Sequence, residues 1–209
     1  MSEFTTNPYD DILIPTYVLN LKKTNKLDQI LNPFKMNPEF DVKIITENSE
    51  GSKEACLWKG IVTATKTAIT EESDMFIVCN KEHRFSNKYS KEYLFENIVK
   101  ANDQGATLLF GYIDNFGHAV PLTESRFWIS SFLSTQFIVV YKKIFMDILN
   151  YKFNKLDIVD EVFSSLTSHK MVLYPFISRK KNLVNSDYLL TKTRLESIRN
   201  TYLKYIKKT

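Results

Sequence analysis

The chain has 209 residues, 44% hydrophobic, 25% charged and 13% aromatic, a balance that suits one globular α/β domain with a ring-rich core. Only 5 Gly and 6 Pro exclude a collagen-like or linker-rich chain, and a formal charge of +4 permits an anionic ligand without pointing to nucleic acid. Two cysteines without a Cys-x-x-Cys exclude a disulfide framework and a zinc ribbon, which suits a reduced cytoplasmic compartment. The polar, acidic N-terminus is not a signal peptide, and no apolar run reaches the roughly 18–20 residues that span a bilayer.

In chain order, Tyr17-Val18-Leu19 reads as a strand, with Pro15 at its start. A basic turn, Lys22-Lys23-Thr24-Asn25-Lys26, leads to a short helix over 27–31 that Asn32-Pro33 stops. Residues 40–45 alternate as a second strand. Residues 53–69 form the clearest helix, with Leu57, Trp58, Ile61, Val62, Thr65, Ala68 and Ile69 on one stripe that packs on the sheet. Met75-Phe76-Ile77-Val78-Cys79 then reads as a buried strand emerging at the edge of a sheet into the polar cluster Asn80-Lys81-Glu82-His83-Arg84. Ligand sites of open α/β sheets lie beyond the carboxyl ends of strands, so the site is expected near residue 80.

Ser90 is the expected N-cap of a helix over 91–101. Residues 107–112 form the next strand, and 113–126 read as a long surface loop, a common place for function. Strand-like 136–141 runs into a helix over 142–150, and a short helix over 156–166 carries Asp157, Asp160 and Glu161. Residues 171–176 are expected as the last strand, with Pro175 at an edge or an end. A terminal helix over 190–208 puts Leu195, Ile198, Tyr202 and Ile206 on one face. Alternation of strands and helices predicts an α/β fold with a largely parallel sheet flanked by helices.

Several of these stretches, in this order, resemble the lipopolysaccharide-type glycosyltransferases, glycosyltransferase family 25. The opening Tyr17-Val18-Leu19-Asn20-Leu21-Lys22-Lys23 is similar to that family's hydrophobic strand, Asn-Leu and basic residues. Ala55-Cys56-Leu57-Trp58-Lys59-Gly60-Ile61 resembles its following helix. Ile77 to Phe85 sits where bacterial members carry Glu-Asp-Asp-His. Phe127-Trp128, Thr135-Gln136-Phe137-Ile138-Val139, Tyr174-Pro175-Phe176-Ile177-Ser178 and Asn185-Ser186-Asp187 extend the similarity from about residue 15 to about residue 190, and their order and spacing carry it.

The resemblance implies a GT-A-like (Rossmann-like) single domain over 1–209 and a nucleotide-sugar donor. The implied acceptor is a saccharide or a lipid-linked acceptor of surface polysaccharide assembly. It also implies a divalent cation, Mn or Mg, held on the donor diphosphate by an Asp-x-Asp-like pair. Here Asn80 and Glu82 occupy those places, and residues i and i+2 of an extended strand end point the same way. One carboxylate is thus replaced by an amide, and Lys81 adds a positive charge. Three readings stay open: a metal site, direct neutralisation of the diphosphate by Lys and Arg, or a solvated strand end.

Asn20, Lys23, Asn80 and Gln136 are the implied donor contacts, although a lysine at 23 lacks the bidentate fork of the arginine usual there. Asp160 and Asp157, spaced i, i+3 and so on one face of a helix, match the family's acidic segment, where a carboxylate serves as general base or supports the metal from outside its ligands; both also suit the dipole of a helix N-terminus. His83, His118 and His169 show no zinc-enzyme spacing, and no dinucleotide, P-loop or nucleophile-elbow motif occurs. A degenerate member that binds without turnover is the alternative reading. The basic residues Lys192, Arg194, Arg199, Lys204, Lys207 and Lys208 allow peripheral membrane contact, or a solvated helix with one packed face.

Overall fold

The fold is described from a computed structural model covering residues 9, 11–21, 26–47, 51–134, 136–181 and 186–206, with backbone alone for Ser186 and Asp187. The strands are β1 Ile14–Leu19, β2 Phe40–Ile45, β3 Met75–Asn80, β4 His83–Phe85, β5 Leu108–Phe110, β6 Asn115–Phe116, β7 Ala119–Pro121, β8 Arg126–Ile129, β9 Phe132–Leu133, β10 Phe137–Tyr141, β11 Lys170–Leu173 and β12 Ser178–Lys180. The helices are α1 Leu27–Leu31, α2 Lys53–Thr70, α3 Lys91–Asp103, α4 Phe145–Asn150, α5 Val159–Leu166 and α6 Ser186–Ile206.

Eight strands form one sheet in the order β2-β1-β3-β10-β5-β11-β8-β7. Following the pairings, β2, β1, β3, β5, β11 and β7 run one way and β10 and β8 the other, so the sheet is mixed but largely of one direction. Two small ribbons, β4 with β12 and β6 with β9, stand outside it.

The central strands read as unbroken apolar runs because helices cover both faces. Period two divides their side chains. Phe76 and Val78 of β3, and Ile138 and Val140 of β10, pack with Leu57, Trp58 and Ile61 of α2, Phe145 of α4, Phe163 of α5 and Leu195 of α6. Ile77, Cys79, Phe137 and Val139 face the other way, onto Ile30 of α1 and Leu94, Phe95 and Ile98 of α3. The helix starts follow from their caps: Ser52 Oγ accepts from Ala55 N and Ser90 Oγ from Tyr93 N, both at 3.1 Å.

Some expectations change. The stretch 113–126 is not an irregular loop, since it holds β6, β7 and the start of β8. Its strands are two to four residues long, too short to alternate visibly, and they exist through pairing, with Pro121 tolerated because β7 is an edge strand. The strand expected over 171–176 is β11, an interior strand rather than the last, and β12 follows it. Lys170 can open β11 fully buried because Ser164 O, at 3.0 Å, and Thr167 O both accept from its ammonium. The helix expected over 142–150 begins with a 3-10 turn, and the one expected over 156–166 begins only at Val159. On the α2 stripe Ile69 is 42% exposed, so the buried stripe ends at Ala68.

Past β5 the chain crosses between two partners at Gly111. Its N–H donates to Phe137 O at 3.0 Å, and its carbonyl accepts from Ile177 N at 3.1 Å and Ser178 N at 3.2 Å. A Cβ there would lie 2.6 Å from Phe137 Cδ1 and 2.9 Å from Ile177 Cγ1, both fully buried side chains that have no room to retreat. Gly111→Ala is therefore expected to cost roughly 1–3 kcal/mol by overpacking, measured as a lowered urea midpoint at unchanged m.

Candidate functional site

At the carboxyl ends of β1 and β3 the sheet opens into a cavity of about 350 Å³. Because β10 is antiparallel to β3, the amino end of β10 reaches the same edge. The cavity is lined by Asn80 at the end of β3 and Glu82 beyond it, Gln136 before β10, Asp160 on α5, Lys53 and Glu54 on the first turn of α2, Asp114, and Lys180 at the end of β12. Leu21, Leu57, Leu133 and Ile158 form its apolar wall. Four of the residues singled out by sequence thus converge from segments far apart in the chain.

The others do not. Asp157 was expected to share a helix face with Asp160, but it precedes α5. Its Oδ2 accepts from Asn154 N at 2.7 Å and Tyr151 OH at 3.2 Å, closing the turn ahead of the helix. Asn20 follows β1 on the same side as Thr16 and Val18, so it faces away from the cavity while Leu21 lines it. Asn20 is buried, its Oδ1 accepting from Lys81 Nζ at 3.4 Å, and its Nδ2 has no partner among the described residues. Lys23 lies outside the described residues, as do Lys207 and Lys208. His83, expected in a solvated polar cluster, is buried: it belongs to β4, shares a 2.7 Å hydrogen bond with Ser178 Oγ, and packs among Phe34, Phe85 and Phe137. Burial holds it neutral, its pKa lowered to about 3.

Within the cavity most carboxylates are engaged. Asp114 is ion-paired with Lys180 and accepts from Tyr112 OH at 2.6 Å. Glu54 Oε2 accepts from Val159 N at 3.0 Å, which satisfies one of the orphan donors at the start of α5. Asp160 Oδ2 accepts from Ser134 N at 2.7 Å. Ser134 has φ +99°, a conformation rarely held by a residue with a side chain and one that concentrates at functional sites. Burial pushes the Asp160 pKa up to about 6, with Glu54 and Asp114 adding to the rise while the Ser134 N–H and Lys180 oppose it. Gln136 is 3% exposed, and its Nε2 has no partner among the described residues. A buried donor left without a protein partner at a cavity wall is one that a water or a ligand can satisfy.

The donor set does not fit a metal cage built by the protein. Asn80 Oδ1, the oxygen that would ligate, accepts from Glu82 N at 3.0 Å in a local turn. No group of three or more His, Cys, Asp or Glu among the described residues is gathered to hold an ion. Lys53 and Lys180 instead place two ammonium groups in the cavity. Lys53 opens an 18-residue helix, where positive charge adds to the helix dipole. Glu54, Lys53, Asp114, Ser134 and Lys180 escaped the sequence reading. Ser52 ahead of the 53–69 helix was a visible cap signal that could have found Lys53 and Glu54.

The chain matches no protein-family model and no curated protein sequence. Among solved structures it is similar to A197 from STIV, with 10% identity and a TM-score of 0.57 over 83% of this chain and 87% of that one. It is also similar to a glycosyltransferase involved in the glycosylation of the major capsid of PBCV-1, with 10% identity and a TM-score of 0.50 over 88% and 99%. An apo UDP-glucose pyrophosphorylase aligns at 8% identity and a TM-score of 0.46 over 93% and 82%. At these identities the likeness establishes the fold, which is GT-A-like α/β.

The Asp160 shift has a definite sign for stability. Its folded pKa is raised, so the stability linked to its proton is fully present below the unfolded value near pH 4 and is lost as pH rises through about 6. Asp160→Asn removes that loss. Its melting temperature is expected to match wild type below about pH 4 and to exceed it by a gap that grows to a plateau above about pH 6.

Proposed function

We propose that the cavity binds a nucleotide sugar and transfers its sugar to an acceptor hydroxyl. The observation that carries this reading is the convergence of a buried, partnerless amide (Gln136), a buried carboxylate with raised pKa (Asp160) and two lysines (Lys53 and Lys180) in one cavity at the carboxyl edge of the sheet. The likeness to glycosyltransferase family 25 along the sequence, and the GT-A-like fold, support the same class.

In this reading Lys53, Lys180 and the amino end of α2 hold the diphosphate, since a point charge and helix N–H groups both favour phosphate. Charge there stabilises the departing phosphate oxygen more than the bound donor. Gln136 Nε2 donates to a sugar oxygen. A bond forms between the acceptor oxygen and the anomeric carbon as the anomeric carbon–phosphate bond breaks. The diphosphate leaves with the electron pair, and the acceptor proton passes to Asp160, which is ionised above about pH 6. Asn80 and Glu82 orient the strand end, and no step is assigned to a resident divalent cation.

A saccharide acceptor, free or lipid-linked, of surface polysaccharide assembly follows from the family resemblance. Among the described helices none is long and apolar enough to cross a membrane. On α6 Arg194 is turned inward, donating to Asn115 Oδ1 and Gly117 O at 3.0 Å, while Lys192 and Lys204 stay exposed for any contact with an anionic surface.

The test is calorimetric titration with UDP-, GDP- and CMP-sugars, followed by turnover with and without Mn²⁺ or Mg²⁺. Lys53→Met is expected to weaken donor binding several-fold through a lost charge-assisted contact. Asp160→Asn is expected to lower turnover by about 10²–10⁴-fold with donor affinity kept. Wild-type turnover should fall as pH drops below about 6. Absence of binding to any nucleotide sugar overturns the reading; binding without turnover assigns the chain to a non-enzymatic role. Metal-dependent turnover lost in Glu82→Ala overturns the lysine assignment.

A further inference from the structure

A second cavity of about 650 Å³ adjoins the first, and Leu133, 49% exposed, lines both. Consecutive acids of α5 divide between them: Asp160 lines the first and Glu161 the second. The second cavity is floored by the β6–β9 ribbon, with Phe116 and Phe132 as its rings and Ser131, Ser164 and Ser165 as its hydroxyls.

Three features mark it as a built site. Ser164 Oγ is buried at its wall without a partner among the described residues, which is costly unless a ligand supplies one. Gly117 keeps the floor open, since a Cβ there would lie 2.6 Å from Ser131 Oγ and 2.7 Å from Ser130 Oγ. The wall is also fixed in advance. Arg194 of α6 donates to Asn115 Oδ1 and Gly117 O at 3.0 Å and to Phe116 O at 3.2 Å, and its guanidinium sits 4.0 Å from the Phe116 ring centre.

The lining chemistry selects the ligand class. Glu161 is the one ionisable side chain among the lining residues, so an anion is disfavoured and nothing calls for a strong cation. Hydroxyls and a carboxylate set around aromatic and aliphatic surface suit a molecule with hydroxyls at its rim and C–H on its faces. Resting on the transferase reading above, we propose that this cavity is the acceptor subsite and takes a neutral saccharide. The acceptor hydroxyl crosses Leu133 to reach Asp160, where its proton goes as its oxygen bonds to the anomeric carbon and the diphosphate departs.

The test is ¹⁵N-NMR titration of the full chain with methyl β-D-galactoside, methyl α-D-glucoside and lactose, and separately with UDP-, GDP- and CMP-sugars. At least one saccharide is expected to shift the amides of Gly117, Ser131 and Ser165. Ser165→Trp, at an exposed rim position, should raise that Kd at least about tenfold, a change of 1.4 kcal/mol or more. If Ser165→Trp does not fold, Glu161→Gln gives the second readout, with a several-fold weaker Kd expected. No shift from any of the three saccharides, shifts confined to Glu82 and Gln136, or an unchanged Kd in the folded variant overturns the proposal. Saccharide shifts at Gly117 without any nucleotide-sugar shift at Asn80 or Gln136 would leave this site standing as a saccharide site and remove the transferase reading instead.

Discussion

The site depends on how closely three backbones approach at Gly111. The two peptide units that meet at Gly111 tie β5 to the start of β10 through Phe137 O and to the chain entering β12 through Ile177 N and Ser178 N. Phe137 and Ile177 close over the glycine, leaving no space for a methyl group. Gln136 precedes one partner and Lys180 follows the other, while Asp114 lies three residues on from the glycine itself. The positions of an amide, an ammonium and a carboxylate in the cavity therefore derive from one close-packed crossing in an interior that cannot stretch.

Charge in the cavity is partly compensated by the protein itself. Four acids and two lysines line it, but Asp114 is paired with Lys180, Glu54 caps α5, and Asp160 is held toward its neutral form by burial. What is left for a ligand is a donor amide, a carboxyl that titrates near neutrality, the Glu82 carboxylate and the Lys53 ammonium at a helix N-terminus. In the proposed function this set would hold a phosphate and take a proton without three carboxylates around an ion. Asn80 Oδ1 accepts from Glu82 N in a turn that shapes the strand end, so it is engaged by the protein itself.

The C-terminal helix is best understood from its inward side. Thr191 Oγ1 donates to Asp114 O at 2.5 Å, Arg194 fastens the β6–β9 ribbon, and Leu195 is fully buried in the core. A helix whose composition suggests a basic surface element thus braces the walls of both cavities. Its polar residues have these partners because the short strands of 113–133 supply backbone carbonyls beyond the end of the main sheet.

The sequence by itself determined the layers and the sheet edge at which the cavity opens. Strands buried on both faces must be apolar throughout, so Met75–Cys79 and Phe137–Tyr141 were legible as strands. The α2 and α3 helices were legible from stripes and from Ser90, and the abrupt change at Asn80 marked the sheet edge at which the cavity opens. Asp160, Gln136 and Glu82 are candidates from the family resemblance, and the fold brings all three to one cavity. Other choices waited on the tertiary structure. Period two turned Asn20 to the far side of the sheet and gave Leu21 its place, and the exact start of α5 separated Asp160 from Asp157. Lys180 and Asp114 meet across 66 residues only because Gly111 lets their strands converge. His83 looked polar and is core. Local pattern fixes which segments are buried on both faces; which polar side chains face one another depends on register and crossing, which no local pattern encodes.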